Sequence, residues 1–523
     1  MNAQVTEKAV NPWLVAFVVS LATFMEVLDT TITNVSLSHI AGSLSASQDE
    51  STWVLTSYLV ANGIVLPISG WLAGVLGRRR YFILCILGFT VASFACGAAT
   101  SLVELIIFRL IQGFAGGGLQ PTQQAIVLDA FPPEKRGQVF GVTGITLIAA
   151  PIIGPTLGGL ITDNFSWRWI FFINVPVGIF AAIMVSRFVK DPPHAVKQGF
   201  KSIDYIGLGL LALGLGALQL VLDKGQQKDW FDSTYIVSFF ALSIFLIPFA
   251  IAWIMRQEDP IVDFTLLKDR GFGFGFILIF FTGFALYGSS ALLPLMLQSQ
   301  FGYDATLAGL VISPGGLAVI FLMPLSGKLV SKVEARYLIA VGLFLCGCGM
   351  WLTTSVTPQT DYQHFVWMRV FQVLGLPFLF IPVSTLAFMN VPKEKSSKAS
   401  ALFSLGRNLG GSVGIALVTT YVARHSQMHQ YVLSEHLTPG DPVYENMRHS
   451  LIQTFINRGF DSLDAAHQAT GHIYRELLRQ ASILSYNDAY FFLCCVMATG
   501  LLLTLFLPSN SPRAKPSAAT AAH

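Results

Sequence analysis

Long apolar runs, separated by short polar segments, are the main feature of the sequence. Each run is about 20 residues long, the length that a helix needs to cross the hydrocarbon core of a bilayer. Fourteen such runs lie near residues 12–33, 52–73, 81–100, 102–125, 138–161, 169–189, 204–222, 234–255, 272–296, 305–327, 337–355, 364–388, 399–421 and 487–507. Buried helices of a soluble protein do not recur at this length fourteen times. The pattern therefore predicts an all-α membrane protein with 14 transmembrane helices.

The composition agrees with this fold class. Of the 523 residues, 53% are hydrophobic and 12% are charged, whereas soluble domains carry about 25% charged residues. The net charge of +3 does not indicate nucleic-acid binding, and we expect none. The polar segment MNAQVTEKAV leads directly into the first apolar run, so we expect no cleavable signal peptide. All six cysteines fall within apolar runs, which favours free thiols over disulfides.

The distribution of positive charge predicts the orientation of the chain. With fourteen spans and the N-terminus inside, 21 of the 32 Lys and Arg residues fall in the inner segments. The short outer loops hold only Arg168, Lys224 and Lys228, five more lie in the segment 422–486, and three lie inside spans. Because cytoplasmic loops of membrane proteins are enriched in Lys and Arg, both termini are predicted to be cytoplasmic.

Charged side chains inside the first half are candidates for function. Arg109 lies within the apolar run LIIFRLIQGFAGGG, and Gln112 follows one turn later on the same helical face. Glu26 and Asp29 are three residues apart in the first span, so both carboxylates point the same way. Charges in a membrane interior are costly and mark functional sites. Desolvation and mutual repulsion favour protonation of one carboxylate, as a proton carrier requires; the alternative is a structural ion pair with Arg109.

The sequence repeats itself at a separation of about 260 residues. The recurring residues are Arg109 and Gln112, repeated as Arg369 and Gln372; Pro132, Glu134 and Lys135, repeated as Pro392, Glu394 and Lys395; and Gly70, repeated as Gly327. Two related halves of six helices are the architecture of transporters that rock around a central site. A channel fits this repeat and its buried charges less well.

The repeat also predicts the organisation of the chain. The predicted parts are an N-terminal half at 1–190, an inserted helix pair (204–222 and 234–255) with linkers at 191–270, a C-terminal half at 271–507, and a disordered cytoplasmic tail at 508–523. The C-terminal half includes a long periplasmic loop, 422–486, for which we expect two or three amphipathic helices. Asp441 and Pro442 are expected to cap and begin one of them.

Several motifs of enzymes and metal sites are absent from the sequence. It contains no GxxxxGK[ST] phosphate loop and no HExxH, paired CxxC or GxSxG signature. We therefore expect no catalytic residues, no resident metal and no cofactor. His425, His429 and His436 form a cluster in the sequence, which we interpret as solvated surface histidines rather than as a metal site.

Four motifs, in register, resemble those of a known family. They are LDTTITNV at 28–35, GWLAGVLGRRR at 70–80 (with Gly70, Gly77 and Arg78), LIIFRLIQGFAGGG at 105–118, and the fifth-span residues Gly141, Gly154, Pro155, Gly158 and Gly159. Together they resemble the major facilitator superfamily, in its fourteen-helix drug:proton antiporter branch of the EmrB/QacA type. The chain departs from the family pattern at Gly74, where an aspartate is usual, and at Ala150, which replaces a glycine.

The resemblance implies a function and a set of partners. It implies export of small amphiphilic drugs across the bacterial inner membrane by alternating access, driven by the proton gradient without a cofactor. In Gram-negative relatives such a pump works with a periplasmic adaptor and an outer-membrane channel. The resemblance implies a proton-coupling role for Arg109, and we expect Asp29, alone or with Glu26, to bind the proton.

The wall of the transport cavity is predicted from polar residues within the spans. The candidates are Tyr58, Asn62, Gln112, Gln120, Gln123, Tyr287, Arg369, Arg407 and Asn408. Each of them could instead bridge two helices by an ordinary hydrogen bond. Two alternative functions remain open at this point: a dedicated metabolite exporter or proton symporter of the same fold, and a membrane sensor or scaffold that transports nothing.

Overall fold

The computed structural model describes residues 11–191, 204–258, 260–435, 437–438 and 440–508, and all regular elements in these ranges are helices. Within these ranges, thirteen helices are long and apolar enough to cross a membrane, and a fourteenth is counted when one bent helix is taken as a single span. The described part of the chain therefore fits the predicted 14-helix architecture. Most of the predicted linker at 191–203 and nearly all of the tail at 508–523 lie outside the described residues.

In its described part, the N-terminal half contains ten α-helices. They are α1 (Pro12–Val35), α2 (Leu37–Ser43), α3 (Gln48–Ser51), α4 (Trp53–Leu76), α5 (Arg78–Ala98), α6 (Leu102–Gly116), α7 (Leu119–Ala130), α8 (Arg136–Asn164), α9 (Trp169–Phe172) and α10 (Asn174–Phe188). The inserted pair follows as α11 (Tyr205–Lys224) and α12 (Thr234–Ile254). Helix α11 packs against α4, α12 and the C-terminal half, so the insertion belongs to the body of the protein.

Among the residues described after α12, the C-terminal half contains eight α-helices. They are α13 (Arg270–Phe301), α14 (Ala305–Leu329), α15 (Ala335–Leu352), α16 (Tyr362–Leu374), α17 (Leu376–Ala387), α18 (Ser396–Ser434), α19 (Pro442–Asn457) and α20 (Ser462–Leu503). Several of these helices begin directly after an aspartate in the polar segment that precedes them. The aspartate side chain accepts hydrogen bonds from free backbone N–H groups in the first turn of the helix. Asp269, Asp304 and Asp361 are such caps.

Two spans that the sequence predicts as continuous are each divided at a glycine. The predicted run 102–125 becomes α6 and α7, with Gly117 and Gly118 between them, and the run 364–388 becomes α16 and α17, with Gly375 between them. A Cβ atom on Gly118 would collide with the side chains of Tyr81 and Cys85, and one on Gly375 with the carbonyl oxygen of Gly342. The two breaks occupy equivalent positions in the two halves. The repeat in the sequence is therefore also a repeat in the helical structure.

The halves meet along two equivalent helix pairs, α4 with α18 and α8 with α14. A Cβ atom on Gly70 would lie 2.7 Å from the carbonyl oxygen of Ser397, and one on Gly327 would lie 2.8 Å from the carbonyl oxygen of Gly137. At each of the repeated glycines, one half therefore comes into direct contact with the backbone of the other. Small residues allow such close approach of membrane helices.

Replacing Gly327 by alanine is expected to destabilise the protein by about 1–3 kcal/mol, the usual cost of overpacking a tight contact. The added methyl group pushes α14 away from Gly137, because both partners at this point are backbone atoms. The measurement is the thermal unfolding of the detergent-solubilised protein. Gly209→Ala is the matched control, since nothing lies within 4 Å of a Cβ atom on that glycine in α11. Equal melting temperatures for the two variants would contradict the prediction.

The segment 422–486 differs from the loop that we expected. Helices α18 and α20 have 39 and 42 residues, so at 1.5 Å per residue they are about 60 Å long, twice the thickness of the hydrocarbon core. Most of the segment is thus the continuation of two spanning helices, and α19 is the separate helix that the described residues form between them. The predicted cap of α19 is confirmed, since Asp441 accepts hydrogen bonds from the backbone N–H groups of Val443 and Tyr444. We call this projecting hairpin the outer arm.

Candidate functional site

A buried ion pair joins the first span to the fourth. Nη1 of Arg109 in α6 lies 2.5 Å from Oδ2 of Asp29 in α1, and neither side chain has exposed surface. The same guanidinium donates from Nε to the carbonyl oxygen of Val54 at 3.1 Å. Its plane lies over the ring of Tyr58, 4.4 Å from the ring centre. A buried pair of this kind persists only when further hydrogen bonds satisfy both partners.

Neutral amides complete the surroundings of Asp29. Nδ2 of Asn174 donates to Oδ1 of Asp29 at 2.6 Å, and Nε2 of Gln112 donates to the same oxygen at 3.2 Å. Gln112 also accepts from Nη1 of Arg109 at 2.8 Å, as its position one turn after the arginine predicts. Both oxygens of Asp29 are therefore occupied by donors, one of them a full positive charge.

Glu26 lies in a different environment, although it is only one turn from Asp29. Its carboxylate accepts from Nε2 of Gln120 at 2.6 Å, from the hydroxyl of Tyr58 at 3.1 Å and from Nδ2 of Asn62 at 3.3 Å. All three donors are neutral. The expectation that both carboxylates share one face holds for the backbone, but the side chains enter two separate networks, with Tyr58 between them.

The network of Glu26 continues into the C-terminal half. Arg407 in α18 donates from Nη2 to Oε1 of Gln120, and Nδ2 of Asn408 donates to Oδ1 of Asn62 at 3.4 Å. Gln120 thus stands between a carboxylate of one half and a guanidinium of the other. A positive charge of the opposite half is therefore linked to Glu26 through one neutral side chain.

A cavity of about 340 Å³ opens beside Glu26. Its walls are built by α1, α4, α7, α11, α13 and α18, and its polar lining residues are Glu26, Thr30, Tyr58, Asn62, Gln120, Gln219, Asp223, Gln226, Gln227, Tyr287, Asn408, Ser412 and Thr419. Several hundred Å³ with a mixed apolar and polar wall is the size and character of a small-molecule site. The lining runs from Glu26 towards the end of the bundle that carries the outer arm.

The structure places some of the predicted cavity residues on this wall and others away from it. Tyr58, Asn62, Gln120, Tyr287 and Asn408 line the cavity. The expectation is corrected for Gln112, Gln123, Arg369 and Arg407, which do not line it. Helix periodicity turns the first three into the interior of their own half: Gln112 contacts Arg109, Gln123 donates to Ser20 at 3.3 Å, and Arg369 contacts Gln372. Arg407 donates a hydrogen bond to Gln120, which does line the cavity.

Arg369 occupies the position in the second half that Arg109 occupies in the first. Both are completely buried, and each donates to the glutamine one turn later. Arg369, however, donates to the hydroxyls of Ser289 at 3.3 Å and Ser290 at 2.8 Å, where Arg109 has the carboxylate of Asp29. The two halves therefore share the arginine but differ in its partner.

The contribution of α11 to the cavity was missed by the sequence analysis. Gln219 accepts from Ser412 of α18 at 3.0 Å, and Asp223 accepts from Thr56 of α4. The inserted helix thus closes the gap between the two halves and supplies an acidic residue to the wall. The signal in the sequence is the spacing of Gln219 and Asp223, four residues apart at the end of an apolar run and so on one helical face.

The opposite end of the bundle is closed by contacts between the halves. Arg78 forms an ion pair with Asp129 at the end of α7, and it donates to the hydroxyl of Ser396 at 3.0 Å in the other half. Arg136 donates to the carbonyl oxygen of Phe388 at 2.7 Å, also across the interface. Asp129 thus supplies a carboxylate at this loop, although the family's usual aspartate is replaced by Gly74.

Two further contacts fix the loops at this closed end. Gly77 has a φ of +84°, a left-handed conformation that suits glycine, and a Cβ atom there would lie 2.8 Å from Oδ2 of Asp191. Lys395 donates to Asp263 at 2.7 Å. Burial alone would raise the pKa of Asp263, but the hydrogen bonds from Lys395 and Thr265 hold that pKa below its usual value. The carboxylate of Asp263 is therefore charged at neutral pH, and its contribution to stability is lost as the pH falls through this lowered pKa.

The glycines and prolines of the fifth span serve packing and bending. Helix α8 bends by 44° between Pro151 and Ile153, as two prolines within one span predict. A Cβ atom on Gly141 would lie 3.0 Å from the carbonyl oxygen of Met323 in α14, and one on Gly158 would lie 3.3 Å from the backbone of Ile32 in α1. The remaining motif residues that α8 contains are Gly154, which faces Thr31, together with Pro155 and Gly159.

A membrane-embedded bundle of two related halves, with a central cavity closed at one end, defines the chain as a transporter-type membrane protein. The sequence profile of the Major Facilitator Superfamily matches residues 19–415. The chain is 36% identical to the multidrug export protein EmrB of Escherichia coli K12, over 94% of this chain and 93% of that protein. The chain therefore belongs to the Major Facilitator Superfamily, in its EmrB-type branch.

Two other comparisons agree with this assignment. The fatty acid resistance protein FarB of Neisseria gonorrhoeae is 35% identical, over 93% of each chain. Among solved structures, the proton:xylose symporter XylE has a TM-score of 0.61 over 96% of this chain and 97% of that chain, at 13% identity. At this identity the match to XylE supports the shared fold and nothing further.

Proposed function

We propose that the chain is a proton-driven multidrug efflux antiporter that exports small amphiphilic compounds by alternating access. The observation that carries the proposal is the cavity between the halves with Glu26 on its wall and Arg407 one side chain away. The similarity to proteins named for multidrug export and fatty acid resistance supports the amphiphilic substrate class.

The transport cycle that we propose uses the two ends of the bundle in turn. The end with Arg78, Asp129 and Arg136 is closed here by contacts across the interface. The cavity lining continues towards the opposite end, where Gln226 and Thr419 lie. Rocking of one half against the other opens the first end and closes the second, and the paired glycines Gly70 and Gly327 mark where the halves separate.

Proton coupling is assigned to the acids of α1. Glu26 faces the cavity and receives only neutral donors, so a proton or the positive charge of a substrate can compensate its charge. Asp29 is already compensated by Arg109. We propose that substrate and proton compete at Glu26, and that the Asp29–Arg109 pair couples this site to the packing of α1 against α6. This revises the order of our sequence-based expectation, which placed Asp29 first.

We also propose the location and the assembly of the transporter. The excess of Lys and Arg in the segments at the Arg78 end supports an inner-membrane protein with both termini in the cytoplasm. The outer arm then projects into the periplasm. It exposes apolar side chains, among them Tyr431, Val443 and Leu463, and we propose that it contacts a periplasmic adaptor that leads to an outer-membrane channel.

Inside-out membrane vesicles with an acidic lumen test the function. We expect uptake of lipophilic dyes and drugs, together with substrate-triggered release of protons from the lumen, and we expect loss of both when the pH gradient is collapsed. Transport of a single endogenous metabolite, with no drug flux, would favour the dedicated exporter. Substrate movement in the direction of the proton gradient would favour the symporter, and no flux of drug or proton would favour the sensor or scaffold.

The wall of the cavity predicts a preference for cationic substrates. Its two carboxylates, Glu26 and Asp223, face the space, whereas Arg407 does not line it. Asp223→Asn is expected to weaken the apparent affinity for lipophilic cations about tenfold, which corresponds to about 1.4 kcal/mol. The half-saturating concentrations of a cationic and an uncharged dye are measured in the vesicles. An equal loss for both dyes would show that Asp223 acts on the fold rather than on substrate charge.

A further inference from the structure

A second cluster of ionisable side chains lies at the base of the outer arm, away from the cavity. His425 and His429 are one turn apart on α18, and Asp488 faces them from α20. Nδ1 of His425 lies 2.9 Å from Oδ2 of Asp488, and Nε2 of His429 lies 2.7 Å from the same oxygen. Two imidazoles from one helix thus converge on a single carboxylate of another.

The cluster is held in place by its neighbours but remains open to ions. The ring of Tyr421 stacks on His425 with 3.8 Å between the ring centres, and Phe492 of α20 stacks on the same tyrosine at 5.2 Å. The side chains of His425, His429 and Asp488 keep 26%, 21% and 36% of their surface exposed. The row of aromatic rings restricts the rotation of His425, so one ligand direction is set in advance.

The donor set and its spacing match those of a transition-metal site. The three ligand atoms all lie within 4.8 Å of one another. Metal–ligand bonds of about 2.0–2.2 Å in tetrahedral geometry separate ligand atoms by about 3.3–3.6 Å. The separations of 2.9 Å and 2.7 Å from Oδ2 of Asp488 must therefore widen by about 0.4–0.9 Å, which small rotations of the side chains supply. Imidazole with carboxylate suits zinc and its neighbours rather than magnesium or calcium. Two histidines and one carboxylate leave a fourth position for water.

We propose that His425, His429 and Asp488 bind one divalent transition-metal ion, with zinc as its representative. The ion bridges α18 and α20 where both helices leave the membrane, and so fixes the outer arm to the C-terminal half. This changes our reading of the histidine cluster in the sequence. The structure adds Asp488, which is distant in the sequence, while His436 lies outside the described residues. The proposal is independent of the transported substrate.

Zinc binding to the purified full-length protein tests the proposal. The protein carries an affinity tag without histidine, its thiols are alkylated and it is stripped with a chelator, and zinc is then titrated by calorimetry. We expect one zinc ion per chain, and at least a tenfold weaker dissociation constant in His429→Ala and in Asp488→Asn. The double variant His449→Ala/His467→Ala, which removes two exposed histidines of the same arm, is the matched control and should bind as the unchanged protein does.

A spectroscopic readout separates a metal site from a hydrogen-bonded cluster. Cobalt(II) in place of zinc should give visible d–d absorption in the unchanged protein and in the control, and none in His425→Ala/His429→Ala. Equal zinc binding by this last variant and the unchanged protein would overturn the proposal. So would the absence of zinc binding in the unchanged protein, which would leave His425, His429 and Asp488 as a hydrogen-bonded contact between helices.

Discussion

Arg109→Ala is expected to remove folded, transport-competent protein from the membrane, whereas Arg369→Ala should be tolerated far better. Alanine at position 109 leaves the carboxylate of Asp29 completely buried without its cation. Breaking a buried ion pair by removal of one partner costs about 3–5 kcal/mol. Alanine at position 369 leaves only hydroxyl and amide groups behind, those of Ser289, Ser290 and Gln372, so that the residual penalty is that of unsatisfied neutral groups, about 1–3 kcal/mol.

The measurement is the melting temperature of each variant in detergent, together with its amount in the membrane. The two arginines are matched in burial and in position within their halves, so the comparison isolates the effect of the carboxylate. The double variant Asp29→Asn/Arg109→Gln removes both charges and should recover most of the lost stability. If Arg109→Ala and Arg369→Ala were equally destabilised, or if the double variant recovered nothing, the ion pair would not be the source of the effect.

Much of the fold follows from the sequence for a simple physical reason. In a bilayer every backbone group must be satisfied within a helix, so a run of about 20 apolar residues has one solution. The spans and the bend of α8 follow from local composition, and the two halves follow from the repeated residues. The breaks at Gly117 and Gly375 are not, because a glycine alone does not distinguish a close crossing from an interruption of the helix. The length of α18 was also missed. The span was predicted from its apolar residues, and the helix continues beyond them through polar residues.

The candidate site was predicted in its composition but less well in its arrangement. The buried acids and Arg109 stand out because charge is rare in apolar runs. The sequence cannot show that Asp29 turns towards α6 while Glu26 turns towards the cavity, since both lie on one face of α1 and their partners come from four other helices. Gln219 and Asp223 were overlooked because they lie on the inserted helix α11. A helix inserted between the two halves is not expected from the sequence to line the cavity.

Glu26→Gln is expected to uncouple transport from protons while leaving the fold intact. The amide keeps an oxygen that can accept from Gln120, Tyr58 or Asn62, and it removes the group that takes up and releases the proton. In the vesicles, substrate-triggered proton release should fall to the level of vesicles without the protein. Exchange of a neutral substrate down its own gradient should continue, because the cavity and the contacts that close the bundle remain.

Glu445→Gln is the matched control for this experiment, since Glu445 lies on α19 of the outer arm and pairs with Arg448 at 3.1 Å, away from the cavity. It should show full proton release. Asp29→Asn completes the comparison, because it removes the other acid of α1 and leaves Arg109 without its partner. If Asp29→Asn abolished proton release at normal membrane levels while Glu26→Gln released protons normally, the carrier would be Asp29. The cavity carboxylate would then serve substrate recognition alone, and proton and substrate would be coupled through Tyr58, which contacts both acidic networks.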